Sequence, residues 1–173
     1  MISGKKVSLR AIEREDLKTL LAWRNKPEFR RYFREHRELN WEQQLSWYEN
    51  IVLLDNNVRM FAIDQENKLI GACGLCYINW VDRNADLSIY IGINDIYIDD
   101  LLAIDASKIL INYAFDELNL HRLWTEIYDF DLYKVRMFEA LGFNLDGRHR
   151  ETHWTNGQWH DSLFFSLLNE KKA

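Results

Sequence analysis

The segment at residues 96–101 combines residue types that bear directly on anion binding. It reads I-Y-I-D-D-L and lies between an apolar run at residues 87–93 and a helix that the pattern predicts over 102–118. Backbone N–H groups at a helix N-terminus can hold a pyrophosphate, and glycines let the anion approach closely. This segment has no glycine and carries two carboxylates, Asp99 and Asp100. Both are good helix caps, and both would repel a bound phosphate.

Cysteines and histidines are the other residue types in this chain that could support chemistry. Cys73 and Cys76 form one C-x-x-C inside an apolar run that is predicted to be a strand. Positions i and i+3 of a strand face opposite sides, so we interpret the two cysteines as small core residues of a protein from a reducing compartment. His149, His153 and His160 fall in one predicted hairpin, whose alternation scatters them across its faces, and no metal site is expected.

Composition limits the class of partner. The chain has 173 residues, 47% of them hydrophobic, and a net charge of −5, which suits one globular domain over residues 1–173. The acidic balance argues against nucleic acid and anionic membrane as partners and favours a cationic or neutral one. No apolar run approaches the ~20 residues of a membrane helix, and no apolar stretch follows the first residues, so we expect a cytoplasmic protein.

The elements that position these residues follow the order β, helices, β-β-β, helix, β, helix, β-β. This order predicts an α+β fold in which helices flank a mixed, mostly antiparallel central sheet. Asn40 with Gln43 predicts a capping box, Gly142 a helix C-cap, and Asn156-Gly157 a hairpin turn. Strands are predicted at 7–11, 58–64, 68–79, 83–93, 122–128, 144–154 and 158–168, and helices at 15–23, 28–34, 41–52, 102–118 and 132–140.

Several stretches in this order carry a resemblance to a known family. They include R-N-A-D-L-S-I-Y-I at residues 83–91, N-Y-A-F-D-E-L-N-L-H-R-L at 112–123, E-A-L-G-F at 139–143 and N-G-Q-W-H-D at 156–161. The chain resembles the GNAT superfamily of N-acetyltransferases, in the branch of the ribosomal-protein N-terminal and spermidine acetyltransferases. This resemblance implies a GNAT-like sheet, acetyl-CoA as cofactor, and direct acetyl transfer to a primary amine of a polyamine, an amino sugar or a peptide N-terminus.

The resemblance also implies roles for single residues. Asp86 would assist deprotonation of the acceptor amine, and backbone N–H groups near Ile91 would polarise the thioester carbonyl. Phe138 stands where the family has the tyrosine that protonates the leaving thiolate, so Tyr133 or Tyr128 would replace that acid. The predicted catalytic residues are therefore Asp86 and Tyr133, and the predicted cofactor-binding residues are Ile91, Ile93, Ile96, Asp99, Asp100, Leu101, Asp131 and Phe138.

Two functions remain open at this point. The first is an acetyl-CoA-dependent N-acetyltransferase with a degenerate pyrophosphate loop and weak cofactor binding. The second is a non-catalytic GNAT-fold module for binding or dimerisation that has lost its cofactor, and a titration with acetyl-CoA separates the two. The terminal hairpin also carries an aromatic set that predicts a homodimer: Trp154, Trp159, Phe164 and Phe165.

Overall fold

The protein is built on one mixed sheet, seen here in a computed structural model that describes residues 1–170. Within these residues eight strands follow the order β1-β2-β3-β4-β5-β6-β8-β7, and the architecture confirms the predicted α+β class. The strands are β1 (Ile2–Ser3), β2 (Ser8–Ala11), β3 (Arg59–Gln65), β4 (Lys68–Asn79), β5 (Asn84–Ile91), β6 (Arg122–Tyr128), β7 (Asn144–Thr155) and β8 (Gln158–Leu168).

Helices precede, interrupt and follow the strands along the chain. Between residues 1 and 170 the α-helices are α1 (Leu17–Asn25), α2 (Pro27–Arg30), α3 (Trp41–Trp47), α4 (Leu102–Asn112) and α5 (Leu132–Ala140). The helices predicted at 41–52 and 102–118 each end in a π-helical turn, at Tyr48–Val52 and Tyr113–Glu117. The helix predicted at 28–34 ends already at Arg30, so residues 34–40 form a loop without regular secondary structure.

The local signals that mark element ends are confirmed. Asn40 accepts from the Gln43 backbone and the Gln43 side chain accepts from the Asn40 backbone, both at 2.9 Å, which completes the capping box of α3. Gly142 follows α5 with φ of +87°. Asn156 and Gly157 have φ of +50° and +78°, as a tight two-residue hairpin turn requires.

The two faces of the sheet bury separate apolar clusters. On one face, Ala106 of α4 and Phe138 of α5 join a cluster that includes Leu87 of β5. On the other face, Leu20 of α1 packs in a cluster that includes Tyr90, three residues further along β5. The side chains of successive strand residues point to opposite faces of the sheet, so β5 contributes side chains to both cores. Its polar residues lie along the same strand, between residues that belong to the two cores.

The parallel contact between β5 and β6 is short. Residues 84–86 pair with 122–124, and pairing stops at Asp86 opposite Trp124. Both strands then continue, β5 to Ile91 and β6 to Tyr128, while each keeps its antiparallel partner on the other side. The sheet therefore opens between β5 and β6 immediately beyond Asp86.

The cysteines and histidines form no reactive centre in the part of the chain that is described. Cys73 is buried in the core and Cys76 is half-buried, and both are free thiols. Burial raises the pKa of Cys76 to about 12, so its thiol stays protonated. Residues 1–170 contain no group of three or more His, Cys, Asp or Glu suited to a metal ion. The helices among these residues are too short or too polar to cross a bilayer.

Candidate active site

A cavity of about 250 Å³ lies where β5 and β6 separate. Strand β5 contributes Asp86 to its wall, β6 contributes Glu126, and α5 contributes Lys134. The loop after α2 closes one side with Arg34 and Glu35. Groups from four distant parts of the chain thus converge on one polar space inside an apolar sheet.

Asp86 is the carboxylate at the centre of this cavity. The residue is 2% exposed, and its Oδ2 accepts a hydrogen bond of 2.7 Å from Arg34 Nη1. Burial raises the pKa of Asp86, although the charge of Arg34 opposes that shift. A carboxylate with a raised pKa is a stronger base than an ordinary one, which suits it to take a proton from a bound amine.

Arg34 connects Asp86 to a second carboxylate, Glu126. Arg34 Nε donates to Glu126 Oε2 at 2.9 Å, and Ser162 Oγ donates to Glu126 Oε1 at 2.6 Å. The guanidinium carbon lies 5.7 Å from the ring centre of Tyr77 and 5.9 Å from that of Trp124. Two carboxylates and two aromatic faces therefore surround one cation.

Lys134 supplies a buried amine to the same cavity. It is 9% exposed, and its Nζ lies 3.1 Å from the hydroxyl of Tyr97. Burial lowers the pKa of Lys134, while Asp131 and Asp86 oppose that shift. Asp131 itself is buried at the N-terminus of α5, where its Oδ1 accepts from the Lys134 backbone at 3.2 Å. A lysine with a lowered pKa can release a proton more readily than an exposed one.

The tyrosine predicted as the acid lies outside the cavity. Tyr133 is 66% exposed, and the lining contains Lys134 and Tyr128 instead. Neighbouring helix residues point about 100° apart, so when Lys134 faces inward Tyr133 faces solvent. Burial raises the pKa of Tyr128 to about 12, and its ring stacks on His153 with centroids 3.8 Å apart. The structure thus places Tyr133 outside the cavity, and its role as the acid stays a prediction.

In the turn before α4, a carboxylate of the chain itself accepts hydrogen bonds from the first amides of the helix. Asp99 Oδ2 accepts from the Leu102 backbone at 3.0 Å, and Oδ1 accepts from the Ala103 backbone at 2.7 Å. Asp100 beside it is exposed. The predicted capping role of Asp99 is thus present in the geometry, and the first amides of α4 are already occupied.

The remaining predicted cofactor residues are scattered around this turn and the core. The backbone N–H of Ile91 donates to the Tyr97 carbonyl at 2.8 Å, so the amide of Ile91 itself is already paired. Phe138 is fully buried and packs against Phe143, with ring centroids 4.8 Å apart. The other four predicted cofactor residues differ in burial. Ile93 is half-buried, Ile96 and Leu101 are 39% and 52% exposed, and Asp131 is 4% exposed.

Comparison with known proteins places the chain in a family. The model of the family described as acetyltransferase (GNAT) domain matches residues 6–144 of this chain. The chain belongs to the GNAT acetyltransferase family. The spermidine N(1)-acetyltransferase of Escherichia coli is 28% identical over 171 residues, covering 99% of this chain and 90% of that protein. The spermidine N(1)-acetyltransferase of Vibrio cholerae is 28% identical over 173 residues, covering 97% of this chain and 96% of that protein.

Solved structures of GNAT enzymes extend the same comparison to the fold. A crystal structure of spermidine N-acetyltransferase from Vibrio cholerae in complex with CoA and spermine has a TM-score of 0.85 at 26% identity. That match covers 94% of this chain and 95% of the other. A dodecameric structure of spermidine N-acetyltransferase from Vibrio cholerae has a TM-score of 0.81 at 27% identity.

The structure of this GNAT protein accommodates the thioester end of acetyl-CoA better than its diphosphate. The opening between β5 and β6 offers a cleft with Asp86 and Lys134 on its walls, which suits the reacting end of the cofactor. The turn before α4 does not offer a free cradle for a diphosphate, because the Asp99 carboxylate holds the amides of Leu102 and Ala103. Cofactor binding at that turn requires this carboxylate to withdraw.

Sequence reasoning located Asp86 but missed three charged residues beside it. Arg34 and Glu126 precede and follow Asp86 by 52 and 40 positions, and Lys134 looked like one more surface lysine of a short helix. One signal was available for Lys134. It lies three residues after Asp131, on the face of α5 that the family resemblance already assigned to the cofactor.

Proposed function

We propose that this protein is an acetyl-CoA-dependent N-acetyltransferase that acts on a primary amine of a polyamine. The observation that carries the proposal is the buried Asp86 carboxylate at the opening of the sheet, with Glu126 beside it. Two carboxylates and two aromatic rings around one space favour a cationic, flexible acceptor. The spermidine acetyltransferases that the chain resembles over nearly its whole length support the same acceptor class.

The residues of the cavity divide the proton transfers between them. Asp86 orients the acceptor ammonium and takes one proton at Oδ2, so that a neutral amine is available for attack. Acetyl-CoA, when bound, would supply the thioester: its carbonyl carbon would bond to the amine nitrogen, CoA would leave as thiolate, and the nitrogen would lose its second proton as the amide forms. Lys134 holds a releasable proton at Nζ on the α5 side of the cavity. A base and an acid thus line the same cleft.

A second function is favoured by one specific observation. Asp99 already satisfies the amides of α4 that would otherwise hold a diphosphate. A GNAT fold that binds amines without a cofactor is therefore the alternative, and this reading keeps the carboxylates but removes the acetyl transfer.

An acetylation assay with a defined acceptor panel separates these functions. Purified protein is incubated with acetyl-CoA and spermidine, an amino sugar or a short peptide, and CoA release and a product heavier by one acetyl group are both followed. We expect acetylated spermidine as the main product, and Asp86→Asn as the loss-of-function control. Acetylation of the peptide or sugar alone would contradict the polyamine assignment. Binding of spermidine without any product or cofactor binding would establish the second function.

We further propose that the protein works as a homo-oligomer in the cytoplasm. Trp154 and Trp159 lie at the end of the last hairpin, 57% and 55% exposed, with ring centroids 5.2 Å apart. Exposed paired tryptophans of this kind are typical of an association surface. The related Vibrio cholerae enzyme described as a dodecamer supports assembly, and two free cysteines suit a reducing compartment.

A further inference from the structure

Arg34 already makes, inside the cavity, the contacts that a bound polyamine ammonium would need to make. Its guanidinium forms ion pairs with Asp86 at 2.7 Å and with Glu126 at 2.9 Å. It also lies about equally far from the rings of Tyr77 and Trp124, which are nearly parallel to each other. A polyamine ammonium requires the same partners: carboxylates for its charge and aromatic faces for its adjoining methylenes.

The pairing also blocks the first step of the proposed reaction. A guanidinium keeps its proton at any pH that the protein withstands, and the two carboxylates raise the pKa of Arg34 further despite its burial. While this cation occupies Asp86 Oδ2, that oxygen has no amine to deprotonate. An acceptor that gives its proton to Oδ2, as proposed above, must take the place of Arg34 at that oxygen first.

We propose that Arg34 is an internal stand-in for the acceptor cation and thereby a specificity-determining residue of the amine site. This inference rests on the proposed function, because it assigns the same cavity to the acceptor. A neutral acceptor that displaced Arg34 would leave Asp86, which is 2% exposed, without the cation that pairs with it directly. Only a cationic acceptor restores the charge balance, so Arg34 selects for positively charged amines by competing with them.

The position of Arg34 in the fold allows it to leave. It belongs to residues 34–40, which form no regular helix or strand, and its side chain is 41% exposed. Asp86 and Glu126, by contrast, are held on paired strands of the sheet. Displacement therefore moves a surface loop and one long side chain, while the carboxylates that bind the cation stay in place.

The test is a calorimetric titration with spermidine in the absence of any cofactor, on the parent protein and on Arg34→Ala. We expect the variant to bind spermidine at least tenfold more tightly, because no internal cation competes. Arg30→Ala is the matched control: it removes the same charge from the adjoining end of α2, where Arg30 pairs with the exposed Glu38, and neither residue lines the cavity. Its affinity should stay within twofold of the parent. Added methylguanidinium should weaken spermidine binding to Arg34→Ala by refilling the vacated place.

A second variant keeps the inference open to refutation. Arg34→Gln retains a long polar side chain without charge, and circular dichroism establishes whether each variant is folded. A folded Arg34 variant that binds spermidine no more tightly than Arg30→Ala overturns the proposal. Failure of both Arg34 variants to fold also overturns it, because a displaceable residue cannot be essential to the fold. Tight binding by Arg34→Ala without acetylation by any form refutes the proposed function and leaves this inference standing.

Discussion

At the scale of single residues, acidic and basic side chains balance in the lining of the cavity, which is therefore not predominantly acidic. Three acids, Asp86, Glu126 and Glu35, face three bases, Arg24, Arg34 and Lys134. Burial pushes the pKa of Asp86 up and that of Lys134 down, so the two groups approach each other in proton affinity. Opposite shifts of this kind are typical of a base and an acid that share one site.

Replacing Asp86 by asparagine tests the base. The change keeps the size of the side chain but removes proton acceptance, so we expect kcat/KM for spermidine to fall by ~10²-fold or more. Activity of the parent should rise with pH through the raised pKa of Asp86, because the carboxylate must be ionised to act. A pH–rate profile of both proteins measures this limb. An Asp86→Asn protein as active as the parent would exclude Asp86 as the base.

Lys134 is tested by methionine, which preserves length without charge. We expect kcat to fall by ~10²-fold, since the ammonium is the buried proton donor of the cavity. Activity of the parent should decline as pH rises through the lowered pKa of Lys134, and Lys134→Arg should move that decline to higher pH. The pH dependence of kcat is the measurement. If Tyr133→Phe lowers kcat and Lys134→Met does not, the acid is the exposed tyrosine after all.

At the scale of elements, the turn before α4 joins a helix cap to the place predicted for the cofactor's diphosphate. The acidic cap stabilises the helix and occupies the amides that an anion would use, so stability and cofactor binding oppose each other at one residue. We therefore expect the parent to bind acetyl-CoA with a Kd above ~100 μM. Low-micromolar binding would show that the carboxylate withdraws at little cost.

Asp99→Ala separates the two effects. Loss of both hydrogen bonds should lower the free energy of unfolding by ~0.5–2 kcal/mol, and removal of the negative charge should tighten acetyl-CoA binding on the order of tenfold. Asp100→Ala is the control, because Asp100 is the exposed neighbour. Urea unfolding and calorimetric titration with acetyl-CoA give the two quantities. Equal cofactor affinity in the two folded variants would exclude this cap as the obstacle.

At the scale of the whole molecule, the last hairpin lies at the edge of the sheet and carries the exposed tryptophans. Strand β7 has β8 as its neighbour and forms one end of the strand order. Phe165 was predicted to share this apolar face, but it is 2% exposed and belongs to the core. Of the four aromatic residues predicted for this face, Trp154 and Trp159 at the tip are the exposed ones, and we propose them as the association surface.

Changing Trp154 and Trp159 together to serine tests assembly. We expect the parent to sediment as a dimer or larger species at tens of micromolar protein, and the double variant to shift towards monomer, because the largest exposed apolar side chains of the hairpin are gone. Tyr133→Ser, which removes an aromatic of 66% exposure from α5, should leave the sedimentation coefficient unchanged. A monomeric parent would refute the homodimer.

The order and type of the elements were readable because they depend on neighbours in sequence. The Asn40–Gln43 capping box, Gly142 and the Asn156-Gly157 turn each act within a few residues, and all three lie where they were predicted. The family resemblance likewise rests on short strings in a fixed order. Asp86 was predicted from that resemblance, which implies a carboxylate in the strand before the turn.

The make-up of the candidate site was decided by the tertiary structure alone. Arg34, Glu126 and Lys134 reach Asp86 from a loop, another strand and a helix, and no local pattern states which distant side chains share a cavity. The choice between Lys134 and Tyr133 depends on a rotation of about 100° between adjacent helix residues, which only the docking of α5 on the sheet fixes. Proton affinities follow burial, and burial exists only once the chain has folded.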